Sequence, residues 1–408
     1  MMEQKSAVLE HDLLAPVTHP QALHFTEAHG AAYTDGDGQR YLDFNEMCQV
    51  LGQHNEAFIA AMTRALEGVT TGKTGISDAK EELYGHLLRT TNGDFEAIHL
   101  TTSGSEAVEW AVRLACRMTG KTEIVSFWNS IHGRTQLAAS LSGLPRRKAG
   151  YGPLTGGGVL VPYPRCSSCP VRDRCREDRF PCLELAKEQY RYGSAQDAAA
   201  VLVEPYQGAR IDIPPRGWFR ALERWAADEG MLLIVDEVQS GVGRCGEMYC
   251  YQRLGLHPDM LLLGKTLGNG LHISALLMRT RPAEHLLPAV TGGVGDDPLA
   301  CAAACEVFRQ LDGGLLDHVR AMGAVLEKGI AALAGRPGIA DVRAFGLACA
   351  VEFADEGDCI RVHRRMRDGG FFVGRSGNCL FCKPPYIVTE EQISALLQAL
   401  DEAIAQNN

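Results

Sequence analysis

Leu261-Leu262-Leu263-Gly264-Lys265-Thr266-Leu267-Gly268-Asn269-Gly270 is an apolar run that stops at a lysine set among glycines. With Met260 the run is four residues long, too short for a helix, and its continuous hydrophobicity predicts a strand buried on both faces. Runs of the same kind occur at 97–100, 158–161, 200–203 and 231–235. Between and after them stand alanine-rich segments with helical spacing, at 106–118, 218–229 and 298–310. Buried strands separated by helices predict an α/β fold: a mostly parallel central sheet flanked by helices, with its ligand site at the carboxyl ends of the strands. Lys265 lies at such an end.

Composition sets the frame for this reading. The chain has 408 residues, of which 46% are hydrophobic and 22% charged, which suits a soluble globule with a large core. A net charge of −10 argues against nucleic acid or an anionic membrane as partner, since both need a local cationic field. The start lacks the basic-then-apolar order of a secretory signal and no run is long enough to span a membrane, so a cytoplasmic protein is expected. From about residue 298 helices alternate with short apolar runs at 347–353 and 379–381. This predicts a smaller α+β domain from the N- and C-terminal segments (1–55 and 298–408) beside a large domain (56–297), after an N-terminal arm of about twenty residues.

Three motifs carry chemistry. Thr101-Thr102-Ser103-Gly104-Ser105-Glu106-Ala107 follows one apolar run and opens a helix, so its hydroxyls and free first-turn N–H groups form an anion cradle. Leu232-Leu233-Ile234-Val235-Asp236-Glu237-Val238-Gln239 ends a strand on a carboxylate that needs a cationic or donor partner, and a protonated pyridine nitrogen is one. Lys265 is predicted to be partly desolvated, which frees its amine as a nucleophile. Each has a plain reading when taken singly: a serine N-cap, a Mg²⁺ ligand or helix cap, and a solvated edge lysine. In that order they are the three anchors pyridoxal 5′-phosphate (PLP) requires, for phosphate, ring nitrogen and aldehyde. Glu237, on the opposite face from Asp236, is expected to be structural.

The same residues sit within a longer ordered series. It comprises Tyr33-Thr34-Asp35-Gly36-Asp37-Gly38, Tyr41-Leu42-Asp43-Phe44, Ile131-His132-Gly133-Arg134-Thr135, Val203-Glu204-Pro205-Tyr206-Gln207-Gly208, Ser240-Gly241, Gly243-Arg244, Asp297-Pro298-Leu299-Ala300 and Pro384-Pro385. Over nearly its whole length the chain resembles the class III (ornithine/4-aminobutyrate type) aminotransferases of PLP fold type I. The resemblance implies that Ser103, Gly104 and Ser105 hold the phosphate, Asp236 the pyridine nitrogen, Gln239 the phenolic oxygen side and Lys265 the aldehyde. Ile131 would cover the ring, His132 would orient a neighbour of the cofactor, Glu204 would lie near cofactor and substrate, and Thr291 would reach the phosphate of a neighbouring subunit. It further implies a homodimer, a small-molecule amino donor such as glutamate and a carbonyl acceptor. An aminomutase or decarboxylase would use the same lysine and aspartate, and a binding protein without catalysis is the reading from another class.

Three departures from the family pattern bear on the substrate. Ile131 stands where an aromatic ring usually stacks, and an aliphatic side chain covers with less stacking. Phe381 occupies the place of an arginine that in many members pairs with a substrate carboxylate. Either Lys383 or another arginine replaces it, or the acceptor lacks an α-carboxylate, as an aminosugar, cyclitol or peptide carbonyl of specialised biosynthesis would; the last is the expectation. Finally, Cys166, Cys169, Cys175 and Cys182 form a C-x2-C-x5-C-x6-C series in an insertion at about 162–185, among five arginines. Four thiolates so spaced predict a Zn²⁺ or Fe–S site of structural role, against independent thiols. Most of the other ten cysteines are expected to be small core residues.

Overall fold

The structure, a computed structural model, describes residues 23–69, 75–176, 179–287 and 295–406. The arm and Thr291 lie outside the described residues. Fifteen strands are described: β1 (Phe25–His29), β2 (Ala32–Asp35), β3 (Arg40–Asp43), β4 (Ala97–Thr101), β5 (Glu123–Phe127), β6 (Gly158–Val161), β7 (Ala198–Val203), β8 (Leu232–Asp236), β9 (Met260–Leu263), β10 (Ser274–Met278), β11 (Ile339–Ala344), β12 (Cys349–Phe353), β13 (Phe371–Phe372), β14 (Gly374–Ser376) and β15 (Cys379–Cys382).

Seven of them form the central sheet in the order β4-β10-β9-β8-β7-β5-β6. All run parallel except β10, which is antiparallel to both neighbours. The continuous apolar runs have a physical cause. In β8, Leu233 and Val235 face one core with Trp218 and Trp225 of helix Trp218–Asp228, while Ile234 faces a second core with Ala107, Ala111 and Leu114 of helix Gly104–Thr119. Because neighbouring residues point to opposite faces and both faces are covered, every position is apolar until the chain leaves the sheet.

The expected runs match β4, β6, β7, β8 and β9 to within two residues at either end, with Asp236 the last residue of β8. Strands β5 and β10 lie outside those runs, although β10 holds an equally apolar one, Ala275-Leu276-Leu277-Met278. The stretch from 144 to 165, which reads as a glycine-rich loop around one strand, also carries the single turn Pro145–Arg147. Two smaller sheets complete the molecule: β1-β2-β3-β13, and the antiparallel β11-β12-β15-β14, which pairs Ala350 with Phe381 and Cys349 with Cys382. Helix Pro298–Gln310 packs on helices Glu56–Glu67 and Asp78–Thr90. Among the described residues no helix is long and apolar enough to cross a membrane.

Candidate active site

The carboxyl ends of β4, β5, β7, β8 and β9 meet the end of β15 around one cavity of about 450 Å³. After β4 the chain turns at Ser103 in extended geometry (φ −155°, ψ 154°), and its hydroxyl accepts the Glu106 N–H at 3.3 Å. Helix Gly104–Thr119 therefore begins with its first N–H groups at the cavity wall. The Glu106 carboxylate does not close a capping box; it accepts from Thr102 N and Oγ1 at 2.9 and 2.7 Å. Ser105 Oγ accepts the Arg134 N–H at 3.0 Å. A Cβ on Gly133, at φ +154°, would come within 2.5 Å of that oxygen, so only glycine lets the chain after β5 close over the cradle.

Asp236 lines the cavity, buried, and takes two hydrogen bonds: from Val238 N to Oδ1 at 3.1 Å, and between Oδ2 and His132 Nδ1 at 2.8 Å. His132 is 3% exposed, its backbone N–H donates to Ser142 Oγ at 2.9 Å, and its Nε2 has no partner among the described residues. The imidazole thus fixes one face of the carboxylate. Beside them Glu204 accepts from Ile131 N and Gly208 N, both at 3.0 Å, and burial pushes its carboxyl up to about 7. Ile131 lines the cavity wall. Glu237, one residue beyond Asp236, points away and accepts Cys250 N and Tyr251 N at 2.7 and 2.6 Å, capping helix Cys250–Leu254, which accords with its expected structural part.

Lys265 borders the cavity in a left-handed backbone conformation (φ +42°), strain of about 1–3 kcal/mol for a non-glycine residue. Its ammonium has no hydrogen-bond partner among the described residues. Burial lowers its pKa, with the negative charge of Asp236 the largest opposing influence. An amine whose charged form burial disfavours, without a hydrogen-bond partner among the described residues, is available to attack a carbonyl carbon and to carry a proton.

Lys383, immediately after β15, is 1% exposed. Its Nζ donates to Gly208 O at 2.6 Å and Gln239 Oε1 at 2.8 Å, with Met47 Sδ at 3.5 Å. All three N–H directions are occupied, so Lys383 does not replace the arginine absent at position 381 as a carboxylate clamp. Phe381 lines the cavity instead; its ring lies on Gly374, where a Cβ would meet Cε2 at 2.1 Å. Unpaired cations lie elsewhere along the wall. Burial and the nearby charges of Arg134 and Arg146 lower the pKa of Arg147, and all three arginines line the cavity with no carboxylate partner among the described residues.

The cysteine insertion departs from expectation. Arg165 and Ser167 turn toward the C-terminal sheet and bind Glu352 at 2.7 and 3.1 Å. The four thiols face one another closely enough for their charges to interact, and burial pushes Cys182 up to about 11. Yet among the described residues the one set of three His, Cys, Asp or Glu ligand atoms within 4.8 Å of one another is Glu82, His86 and Cys305. The four cysteines form no such set: Cys166 and Cys169 share one turn, Cys175 follows a second and Cys182 lies in the first turn of helix Pro181–Gly193, so the Zn²⁺ or Fe–S centre expected from spacing is without support. Cys301 and Cys305 are core residues as expected; Cys116 is half-buried.

The residues present fit PLP: a helix N-terminus cleared by two glycines, a strand-end carboxylate oriented by a buried imidazole, and an unpaired amine share one cavity. Sequence reasoning missed Gly208, Arg146, Arg147 and the role of Lys383. The charged residue beside Pro384-Pro385 in an otherwise apolar strand end was the available signal for the last of these.

Residues 14–404 match the family described as aminotransferase class-III. The chain is 33% identical over 392 residues to an acetylornithine aminotransferase of Mycolicibacterium smegmatis, covering 93% of this chain and 92% of that one. It is 30% identical over 423 residues to a diaminobutyrate–2-oxoglutarate aminotransferase of Rhizobium meliloti, covering 95% and 88%. The omega transaminase from Pseudomonas jessenii in complex with PMP superimposes with a TM-score of 0.91 at 23% identity, covering 99% and 98% of the two chains, a likeness of fold.

Proposed function

The chain belongs to the class III aminotransferases, PLP-dependent enzymes, and from that premise we propose that it moves an amino group from an amino-acid donor to an aldehyde or ketone acceptor that lacks an α-carboxylate. The observation that carries this reading is the apolar wall at Phe381, with the cation against its ring, Lys383, fully engaged inside the protein. An aldehyde, sugar or cyclitol carbonyl, or a peptide carbonyl suits that wall. Anionic groups of the donor are drawn to Arg134, Arg146 and Arg147, which line the same cavity, Arg146 Nη2 donating to Ser376 Oγ on β14 at 3.1 Å. One relative is named for diaminobutyrate and 2-oxoglutarate, which makes glutamate the first donor to test.

When bound, PLP supplies an exchangeable aldehyde carbon and a pyridinium ring that withdraws electrons from it. In our assignment Ser103, Gly104 and Ser105 hold the phosphate through hydroxyls and first-turn N–H groups. Asp236, oriented by His132, holds the ring nitrogen and its proton. Gln239 presents its amide N–H groups to the phenolic oxygen, Ile131 covers one ring face, and Glu204 braces the chain at Ile131 and Gly208. Lys265 would hold the aldehyde carbon, and its amine, bordering the cavity, would serve as the group that carries a proton there. Thr291, outside the described residues, is retained as the candidate for reaching the neighbouring subunit's phosphate. A homodimer is supported by Val69 and Ile76, 64% and 78% exposed, which line one open groove. The cysteine insertion is assigned a structural part; one metal equivalent per chain, lost in the Cys166→Ser variant, would restore the Zn²⁺ or Fe–S reading.

Mixing the PLP-loaded protein with single amino donors tests the reaction. Bleaching of the visible band with release of the keto acid and no CO₂ is expected, with activity falling by a factor on the order of 10³ or more in Lys265→Ala. A band that no donor bleaches rejects amino transfer in favour of a binding protein, and CO₂ release points to a decarboxylase.

A further inference from the structure

We propose that Lys383 is a positioning residue of the active site: it locks the Gln239 amide with its N–H groups turned to the cavity and sets a second cation beside Lys265. The inference rests on PLP being bound at Lys265.

The geometry is specific. A lysine nitrogen only donates when charged, so Gln239 must present Oε1 to it, at 2.8 Å, and its Nε2 is thereby directed elsewhere. Nε2 has no partner among the described residues, and Gln239 lines the cavity. Gly208 completes the unit. Its carbonyl accepts the second Lys383 N–H at 2.6 Å, and the amide of Gln239 lies so close over its Cα that a Cβ there would meet Nε2 at 2.1 Å. Lys383, Gly208 and Gln239 therefore form one rigid clamp that leaves a single outcome, an amide with two unused donors beside the bound ring.

A buried amine with no carboxylate in contact is costly to keep as a mere strut. The charged and titratable groups facing Lys383 are Lys265, Arg244, Glu204 and Cys379; those facing Lys265 also include Asp236, Cys48 and Arg134. Burial, then the like charges of Lys265 and Arg244, lower Lys383 to about 7. A neutral amine keeps two N–H groups, enough to hold Gly208 O and Gln239 Oε1 in either state. The clamp thus persists through the titration while the charge beside Lys265 switches.

The test is a pH titration of the visible absorption band in PLP-loaded wild type, Lys383→Met and Lys383→Arg. Lys383→Met removes the charge and the clamp with little change in volume. Its midpoint is expected to rise by about one pH unit, because the cation that disfavours a proton at Lys265 is gone. Lys383→Arg keeps the charge and is expected to keep the lower midpoint. An unchanged midpoint in Lys383→Met overturns the proposal, as does an equal shift in both variants, which would mark a packing effect. Should Lys383→Met fail to fold, the wild-type curve decides: coupling to an amine titrating near 7 broadens it beyond one proton, and a single-proton curve refutes the charge role. A wild type that develops no visible band removes the functional reading and this inference with it.

Discussion

At position 381 the difference between this pocket and a carboxylate-binding one is a single side chain, yet it is not independent of its neighbour. Lys383 Nζ sits 4.8 Å from the centre of the Phe381 ring, so a guanidinium at 381 would face a buried cation. Phe381 and Lys383 are therefore best understood as a pair: the aromatic face accepts the amine that an arginine would repel. Phe381→Arg alone is expected to do little for an α-keto acid acceptor. Combining it with Lys383→Leu should lower KM for that acceptor by roughly 10–100-fold, the worth of a charge-assisted hydrogen bond. Steady-state kinetics of the four proteins give the coupling, expected at about 1 kcal/mol or more; strict additivity would sever the link between the two positions.

Turns between elements, more than the elements themselves, shape the cofactor cradle. The strand β4 ends, Ser103 caps, and helix Gly104–Thr119 starts within four residues, while the chain leaving β5 folds back over Ser105 through Gly133. Gly133→Ala requires both an unfavourable φ of +154° and a methyl 2.7 Å from the Ala138 Cβ. The variant is expected to fold but to hold PLP about 10–100-fold more weakly, since Ser105 and the Arg134 N–H must part to make room. Equilibrium dialysis of PLP measures this, and wild-type affinity would show that the cradle does not depend on this close approach.

Across the whole molecule, one buried ionic network ties the cysteine insertion, the loop after β7 and the C-terminal sheet together. Glu352, on β12, binds Arg165 and Arg210 at 2.7 Å through one oxygen and Arg343 at 2.8 Å through the other. Burial would raise its pKa, but the Arg343 hydrogen bond and the charges of Arg210 and Arg165 overcome it and bring it down to about 2. Removing that carboxylate leaves Arg165, Arg210 and Arg343 with only Asp212 and Asp341 as counter-charges, so Glu352→Gln is expected to cost about 3 kcal/mol in urea unfolding. The sign of the pH effect follows from the lowered pKa. The folded state binds fewer protons than the unfolded one between about 2 and the ordinary 4.5, so the contribution is complete above that range and lost as pH falls through it. Glu352→Gln should flatten the acid limb of the stability curve; an unchanged limb would place acid sensitivity elsewhere.

Strand runs, helix spacing and the order Ser103, Asp236, Lys265 were legible from the chain because each is local: burial on two faces makes a strand continuously apolar, and the polar residue that ends it marks the sheet edge. Those signals determined the α/β class and the family, and the three residues they single out as anchors line one cavity. Contacts between distant segments were not legible. Lys383 and Gln239 are 144 positions apart and Arg165 and Glu352 are 187 apart, and no periodicity encodes such a pairing. Only the tertiary structure showed that Lys383 is consumed by Gly208 and Gln239 and that Arg165 serves Glu352 rather than the cysteines, since whether a spacing becomes a site depends on where the fold sends each side chain.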